Sequence, residues 1–192
     1  VTGAESHAEM IEAAIQAPSS NLLYLPYLNG ERSPFSDPFA RGAFIGLNSS
    51  HTQVDLTRAV LEGVAFAYRV AFAYRHALDS LITTPVSRLI LTGGGTRSAG
   101  CNQLIADVIG VEVALADDAS NVGLRGALLA AQVGRGERSS YRLDTVPVSD
   151  TVPVSASQRP TNALYKSYTR KYGWFREAYR SLKNLFGQMS AS

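Results

Sequence analysis

Gly93, Gly94 and Gly95 stand together one residue after the apolar run Leu89-Ile90-Leu91. Positions without side chains let a backbone turn tightly and let a flat ligand approach it closely. Ser98 follows as a candidate helix N-cap, and Leu104, Ile105, Val108 and Ile109 recur behind it at helical spacing. Gly110 then stops that helix, and Val111 to Leu115 read as a second strand. A strand, a glycine corner and a helix offer either a nucleotide seat or an ordinary strand-to-helix turn. The spacing matches neither the dinucleotide pattern G-x-G-x-x-G nor the P-loop G-x-x-x-x-G-K-[ST].

Charged side chains gather in a second place, the turn-rich segment from Pro26 to Gly42. A loop this long inside a compact domain is usually functional or disordered. Phe35, Phe39 and three prolines predict an ordered loop pinned by the two aromatics. Asp37 before Pro38 initiates a turn, and Glu31, Arg32 and Arg41 are expected to pair with one another or with Asp37. Glu62 lies beside an apolar helical stripe and reads as a surface or capping group rather than a catalyst.

The chain that must position these residues has 192 of them, 45% hydrophobic and 18% charged. That suits one globular domain or a large piece of one. The net charge of +2 makes no basic patch, so no nucleic-acid partner is expected. Cys101 is the only cysteine, which excludes an intrachain disulfide and fits a reducing, cytoplasmic setting. The most hydrophobic helical stretch, Val60 to Leu78, is broken by Arg69, Arg75 and His76, so no membrane span is expected. Val1 to His7 lack a basic region followed by an apolar core, which predicts no signal peptide. A first residue other than methionine fits a processed protein or an excised part of a longer one.

Ser6 and Glu9 form a capping box for a first helix with Met10, Ile11, Ala14 and Ile15 on its apolar face. Leu22 to Leu25 and Ala43 to Leu47 read as strands. Thr52 and Asp55 open a long helix whose predicted buried stripe is Leu56, Val60, Val64, Ala67, Ala71, Tyr74 and Leu78, widened by Leu61, Tyr68 and Phe72. After a polar turn at 116–120, Asn121 caps a small-residue helix from Val122 to Val133, suited to crowded packing or to a wall for a ligand. Gly134 to Pro160 is expected to be an extended surface crossing, because Pro147 and Pro153 disfavour a central strand. The last helix is expected over 161–186, with Leu164, Tyr168, Tyr172, Phe175, Tyr179, Leu182 and Phe186 as its packing stripe, fraying from Gly187 onward.

Two stretches resemble the FGGY carbohydrate kinases. Gly42-Ala43-Phe44-Ile45-Gly46-Leu47, followed after a spacer by Asp55-Leu56-Thr57-Arg58-Ala59-Val60-Leu61-Glu62-Gly63, resembles the family's carboxyl-terminal signature. Gly93-Gly94-Gly95-Thr96-Arg97-Ser98, with Gln103, Ala106 and Asp107, resembles its adenosine-binding corner. Leu25-Pro26-Tyr27-Leu28-Asn29-Gly30-Glu31-Arg32 is similar to the xylulose kinase and gluconate kinase branches rather than to the glycerol kinases.

The resemblance implies an α/β, ribonuclease H-like domain of the actin and hexokinase type, a mixed sheet flanked by helices and lacking its first strands. Residues 1–192 would be the later part of the carboxyl-terminal, nucleotide-binding domain, with 161–186 as its closing helix. It implies ATP and Mg2+, and a sugar substrate held mainly on the amino-terminal domain. The family's aspartate base lies upstream of these motifs, so Asp37, Asp55 and Asp107 are not nominated as the base, and no residue of the chain as a metal ligand. Gly95 matches the adenosine-contacting glycine, with Gly94 beside it. Ala99 stands where some relatives carry an asparagine, so its polar contact would fall to Ser98 or Asn102. Sheet edges lacking their upstream partners would invite a homodimer.

Overall fold

The computed structural model describes residues 7–78, 88–116, 121–139 and 154–190. Helix α1 (His7–Gln16) leads into strand β1 (Leu23–Pro26), which pairs antiparallel with β2 (Gly42–Ile45), Leu23 opposite Ile45. Helix α2 (Gln53–Leu78) begins where its capping box predicts. The Thr52 N–H donates to Asp55 Oδ2 at 2.8 Å, and the Asp55 N–H donates back to Thr52 Oγ1 at 3.4 Å. These bonds hold the exposed Asp55 carboxyl below the usual carboxylate range. α2 crosses β1 at Gly63, where a Cβ would lie 2.3 Å from the Tyr24 carbonyl oxygen. Only glycine allows two backbones that close.

Strand β3 (Arg88–Leu91) runs parallel to β4 (Glu112–Ala116), and α3 (Ala99–Ile109) lies between them in sequence. Gly110 ends α3 in the left-handed region at φ 86°, its N–H bonded to the Ala106 carbonyl at 2.8 Å. β5 (Val154–Gln158) pairs antiparallel with the other side of β4, with a register shift between Leu115 and Ala116. The expected surface crossing is therefore corrected over these residues to an edge strand. Pro147 and Pro153 lie outside the described residues.

Helix α5 (Asn162–Ser190) starts under a side chain from α3. Asp107 Oδ1 accepts the Thr161 N–H at 2.6 Å and Gln103 Nε2 at 3.0 Å, while Gln103 Nε2 also reaches the Arg159 carbonyl at 2.8 Å. Tyr168, Tyr172, Phe175 and Phe186 are buried as their spacing predicts, although Leu164 is exposed. The predicted fraying at Gly187 does not occur. The helix continues to Ser190, whose Oγ donates to the Phe186 carbonyl and accepts from Arg41 Nη2 at 3.2 Å. The core forms where α2, α3 and α5 meet β1, with the Phe66 and Phe175 rings 5.4 Å apart beside Leu25, Leu104 and Val108. Fully burying one such aromatic side chain contributes about 1.5–3 kcal/mol.

α2 turns a different face inward than its apolar period predicts. Ala59, Glu62, Ala65, Phe66, Arg69 and Val70 are buried, whereas Val64 and Tyr68 are 39% and 48% exposed. Tyr74 and Leu78 belong to side chains outside the described set. The helix is apolar on nearly every side, so periodicity cannot choose a face; partners for the charged residues do. Glu62, read from sequence as a surface or capping group, is 1% exposed and salt-bridged to Arg58 at 2.8 Å and to Lys171 at 2.5 Å. Arg69 lies over the Tyr165 and Tyr172 rings, 4.8 Å and 4.5 Å from their centroids.

The Pro26–Gly42 loop is ordered, but by one aromatic and one carboxylate. Phe35 packs on Tyr27 and Tyr179, while Phe39 is half exposed. The expected ion pairs are replaced by backbone bonds. Glu31 Oε1 accepts from the Arg32 and Ser33 N–H groups, and Arg41 Nη1 donates to the Pro38 and Ala40 carbonyls. In helix α4 (Val122–Gly134), a Cβ at Gly123 or Gly126 would meet nothing within 4 Å among the described residues, and Asn121 gives it no side-chain cap bond. Ser6 and residues 117–120 lie outside the described set. No described helix is long and apolar enough to cross a membrane.

Candidate functional site

β3 ends at Leu91, and the backbone turns at Gly93 with φ 93° and ψ 178°. Side-chain-bearing residues avoid that combination, so glycine is required there by conformation. Gly94–Arg97 then make a single 3-10 turn. Ser98 caps α3 as predicted, its Oγ accepting the Cys101 N–H at 3.2 Å.

Gly94 and Gly95 are a different case. Both are exposed, and a Cβ on either would meet nothing within 4 Å. Gly63 and Gly100 are glycine because the chain's own atoms fill the space of a Cβ. Among the described residues nothing makes that demand at Gly94 and Gly95. The two bare positions open on a groove of about 710 Å³.

Three helices and the corner build this groove. α1 supplies Ala8, Ile11 and Glu12; α2 supplies Leu61, Val64 and Tyr68; α3 supplies Cys101, Leu104 and Ile105. Gly94, Gly95, Arg97, Ser98 and Ala99 form the glycine-corner side. The exposed apolar face of α2 therefore faces a groove, not bulk surface. Val64 and Tyr68 were legible only as core, because an apolar residue at helical spacing carries no mark of which cavity it lines. Among the described residues, Glu12 and Arg97 are the only charged side chains in the lining. A volume of this size with an apolar wall and few polar groups suits a small organic ligand.

Of the residues expected to contact nucleotide, Gly94, Gly95 and Ser98 come together here. Asn102 does not: it is 1% exposed, lies behind the corner and is absent from the lining. Its N–H bonds to the Ser98 carbonyl at 3.1 Å, so it belongs to the first turn of α3. Five residues on, Asp107 of the same helix sets the start of α5.

The carboxylates with family-like spacing are engaged structurally. Asp37 accepts from Tyr179 Oη and from the Phe39 and Ala40 N–H groups. The tyrosine bond above all, then these amides and the Lys183 charge, hold its carboxyl below the usual range against the opposing effect of burial. Asp55 caps α2, Asp107 caps α5, and Glu62 sits in its ion-pair cluster. Among the described residues no three His, Cys, Asp or Glu side chains converge on a metal site.

Residues 2–134 match the model of the FGGY family of carbohydrate kinases, C-terminal domain. Over 184 residues the chain is 33% identical to the xylulose kinase of Escherichia coli strain K12, covering 95% of this chain and 36% of that protein. Over 181 residues it is 32% identical to the gluconokinase of Bacillus subtilis strain 168, covering 94% and 34%. Among solved structures, the ligand-bound xylulose kinase from Lactobacillus acidophilus aligns with a TM-score of 0.74 at 25% identity, over 96% of this chain and 36% of that one. The xylulose kinase from Rhodospirillum rubrum aligns with a TM-score of 0.68 at 32% identity, over 94% and 35%. The chain spans about a third of the length of these relatives. With the actin- and hexokinase-like fold of its structural neighbours and the family match over residues 2–134, the chain belongs to the FGGY family of carbohydrate kinases.

Proposed function

We propose that this chain forms the adenosine side of the cleft of an ATP-dependent sugar kinase, as the later part of its carboxyl-terminal domain. One observation carries the reading. Gly94 and Gly95 are bare where no described residue requires it, and they open on an apolar groove inside the span that matches the family. The purine lies flat on Gly94 and Gly95 with Val64 and Tyr68 opposite. The Ser98 hydroxyl and Arg97 serve the polar part of the nucleotide, and Asn102 holds the turn from behind.

The reaction moves the γ-phosphoryl group of ATP to a sugar hydroxyl. A bond forms between that oxygen and phosphorus, and the β,γ-bridging bond breaks. The hydroxyl proton goes to a base that none of Asp37, Asp55, Glu62 or Asp107 provides, since each is held in a structural bond. The work assigned to this chain is positioning, which supplies much of the catalysis in phosphoryl transfer. The described residues offer no cage for magnesium, so the ion is expected to travel on the phosphates and no step of this chain runs through it.

D-Xylulose, giving D-xylulose 5-phosphate, is the preferred substrate, supported by the similarity to xylulose kinases. The nearly equal identity to a gluconokinase supports gluconate as the second reading. The intact protein with ATP, magnesium and D-xylulose should release ADP and a sugar phosphate, with D-gluconate as the comparison. No ADP above the sugar-free rate with any ketose, polyol or sugar acid contradicts a kinase. Saturable ATP binding by calorimetry without turnover would instead point to a non-catalytic nucleotide-binding module.

A further inference from the structure

We propose that the position of α1 sets the width of the nucleotide groove, and that Arg58 and Gly100 are the residues that position it. The inference rests on reading the groove as a nucleotide site. α1 carries Ala8, Ile11 and Glu12 to the groove, across from the glycine corner. Its placement is decided at its carboxyl end, by one inward pull and one stop.

The pull comes from Arg58, which is 9% exposed. Its Nη1 donates to the Ala14 carbonyl at 3.3 Å and to the Ile15 carbonyl at 2.7 Å. Carbonyls in a helix's last turn lack intrahelical partners, and a cation suits the negative end of the helix dipole. The guanidinium is itself fixed, through Nε to Glu62 Oε1 at 2.8 Å and through Nη2 to Tyr168 Oη at 2.6 Å. Lys171, bonded to the other oxygen of Glu62, donates to the Ser20 carbonyl at 2.6 Å. One buried carboxylate thus anchors both ends of the segment that leaves α1.

The stop is Gly100 in the first turn of α3. A Cβ there would meet Ile15 Cγ2 at 2.6 Å, so α1 rests on that turn as closely as glycine allows. Gly100 follows Ser98 and Ala99 in the groove wall, and Leu61, next to Glu62, lines the opposite side. The contacts that seat α1 are therefore built into the same two helices that form the walls. Neither the Arg58 side chain nor a Gly100 substituent need touch the nucleotide; both act by placing α1.

The test compares R58K, G100A and G110A in the intact protein, by calorimetric titration with ATP and magnesium at a temperature where each is folded by circular dichroism. Lysine keeps a charge beside Glu62 but lacks the planar fork that reaches Ala14, Ile15 and Tyr168 together. G100A sets a methyl group against Ile15. G110A is the control: it strains a left-handed residue packed on Tyr165 at the other end of the same helix. Melting midpoints should fall in all three. The Kd for ATP should rise about tenfold in R58K and G100A, and stay within about twofold in G110A. If R58K does not fold, G100A against G110A carries the comparison. Unchanged affinity in G100A, or equal weakening in G110A, overturns the role of α1 while ATP binding by the unsubstituted protein leaves the groove reading standing. An unsubstituted protein that binds no ATP overturns both.

Discussion

Tyr179 Oη donates a 2.6 Å hydrogen bond to Asp37 Oδ2, tying the middle of α5 to a loop 142 residues earlier in the chain. The same carboxylate receives the Phe39 and Ala40 amides, so one side chain closes the turn and fixes it to the closing helix. Phe35 stacks beside it on the Tyr179 ring at 4.8 Å.

Tyr179→Phe removes the largest cause of the lowered Asp37 pKa. It should reduce stability at neutral pH by about 1.5–3 kcal/mol, as for a hydrogen bond to a charged group. A carboxyl depressed in the folded state stabilises fully above its unfolded pKa near 4 and loses that contribution as the pH falls toward its folded value. The gap between the unsubstituted protein and Tyr179→Phe should therefore narrow as urea denaturation is repeated from pH 7 down to about pH 3. A gap independent of pH contradicts this account of Asp37.

Glu62→Gln leaves the buried Arg58 and Lys171 cations without the carboxylate they share. Breaking a buried pair in this way costs about 3–5 kcal/mol. Adding Lys171→Met should recover part of the loss, because it removes the stranded ammonium. A double-mutant cycle by chemical denaturation should give a coupling of about 0.5–3 kcal/mol. Strict additivity would mean that the cluster does not act as a unit.

Tyr168 tests the same cluster from the alkaline side. Burial, then the Glu62 charge, pushes its phenol up to about 12. The unfolded tyrosine loses its proton near pH 10, before the folded one does, so the folded state binds more protons in between. Its contribution is present below about pH 10 and is lost as the pH rises toward 12. Tyr168→Phe should flatten part of the fall in stability over that interval; an unchanged slope counts against it.

Glycines in this chain divide by what surrounds them. Gly63→Ala forces a methyl onto the Tyr24 carbonyl, a backbone atom that cannot swing away, and should destabilise by about 1–3 kcal/mol or more. Gly95→Ala meets no described atom and should change the stability by no more than about 0.5 kcal/mol. Thermal melts of the two variants side by side check the contrast.

The stretch from Arg88 to Gly110 was legible because the apolar run, the glycines, the Ser98 cap and the helical period agree within one short window. The Thr52–Asp55 box is equally local, and the helix begins where it says. The inward face of α2 was not legible, because Glu62 is satisfied by Lys171, 109 residues away, and no local pattern announces that pairing. Val64 and Tyr68 were hidden as groove residues for the same reason. The β5 strand was obscured by its neighbouring prolines, though an edge position accommodates one. Asn102, which the resemblance offers beside Ser98 for a polar contact, is 1% exposed, and its burial is set by packing that no local pattern shows.

The central claim is that the bare surface of Gly94 and Gly95 seats the purine of ATP. A crystal structure of the intact protein with ATP bound tests it most directly. The account predicts the adenine ring flat against the Gly94 and Gly95 backbone, in van der Waals contact, with Val64 and Tyr68 on the facing wall. Adenine density elsewhere, with the groove beside Gly95 filled only by water, would contradict it.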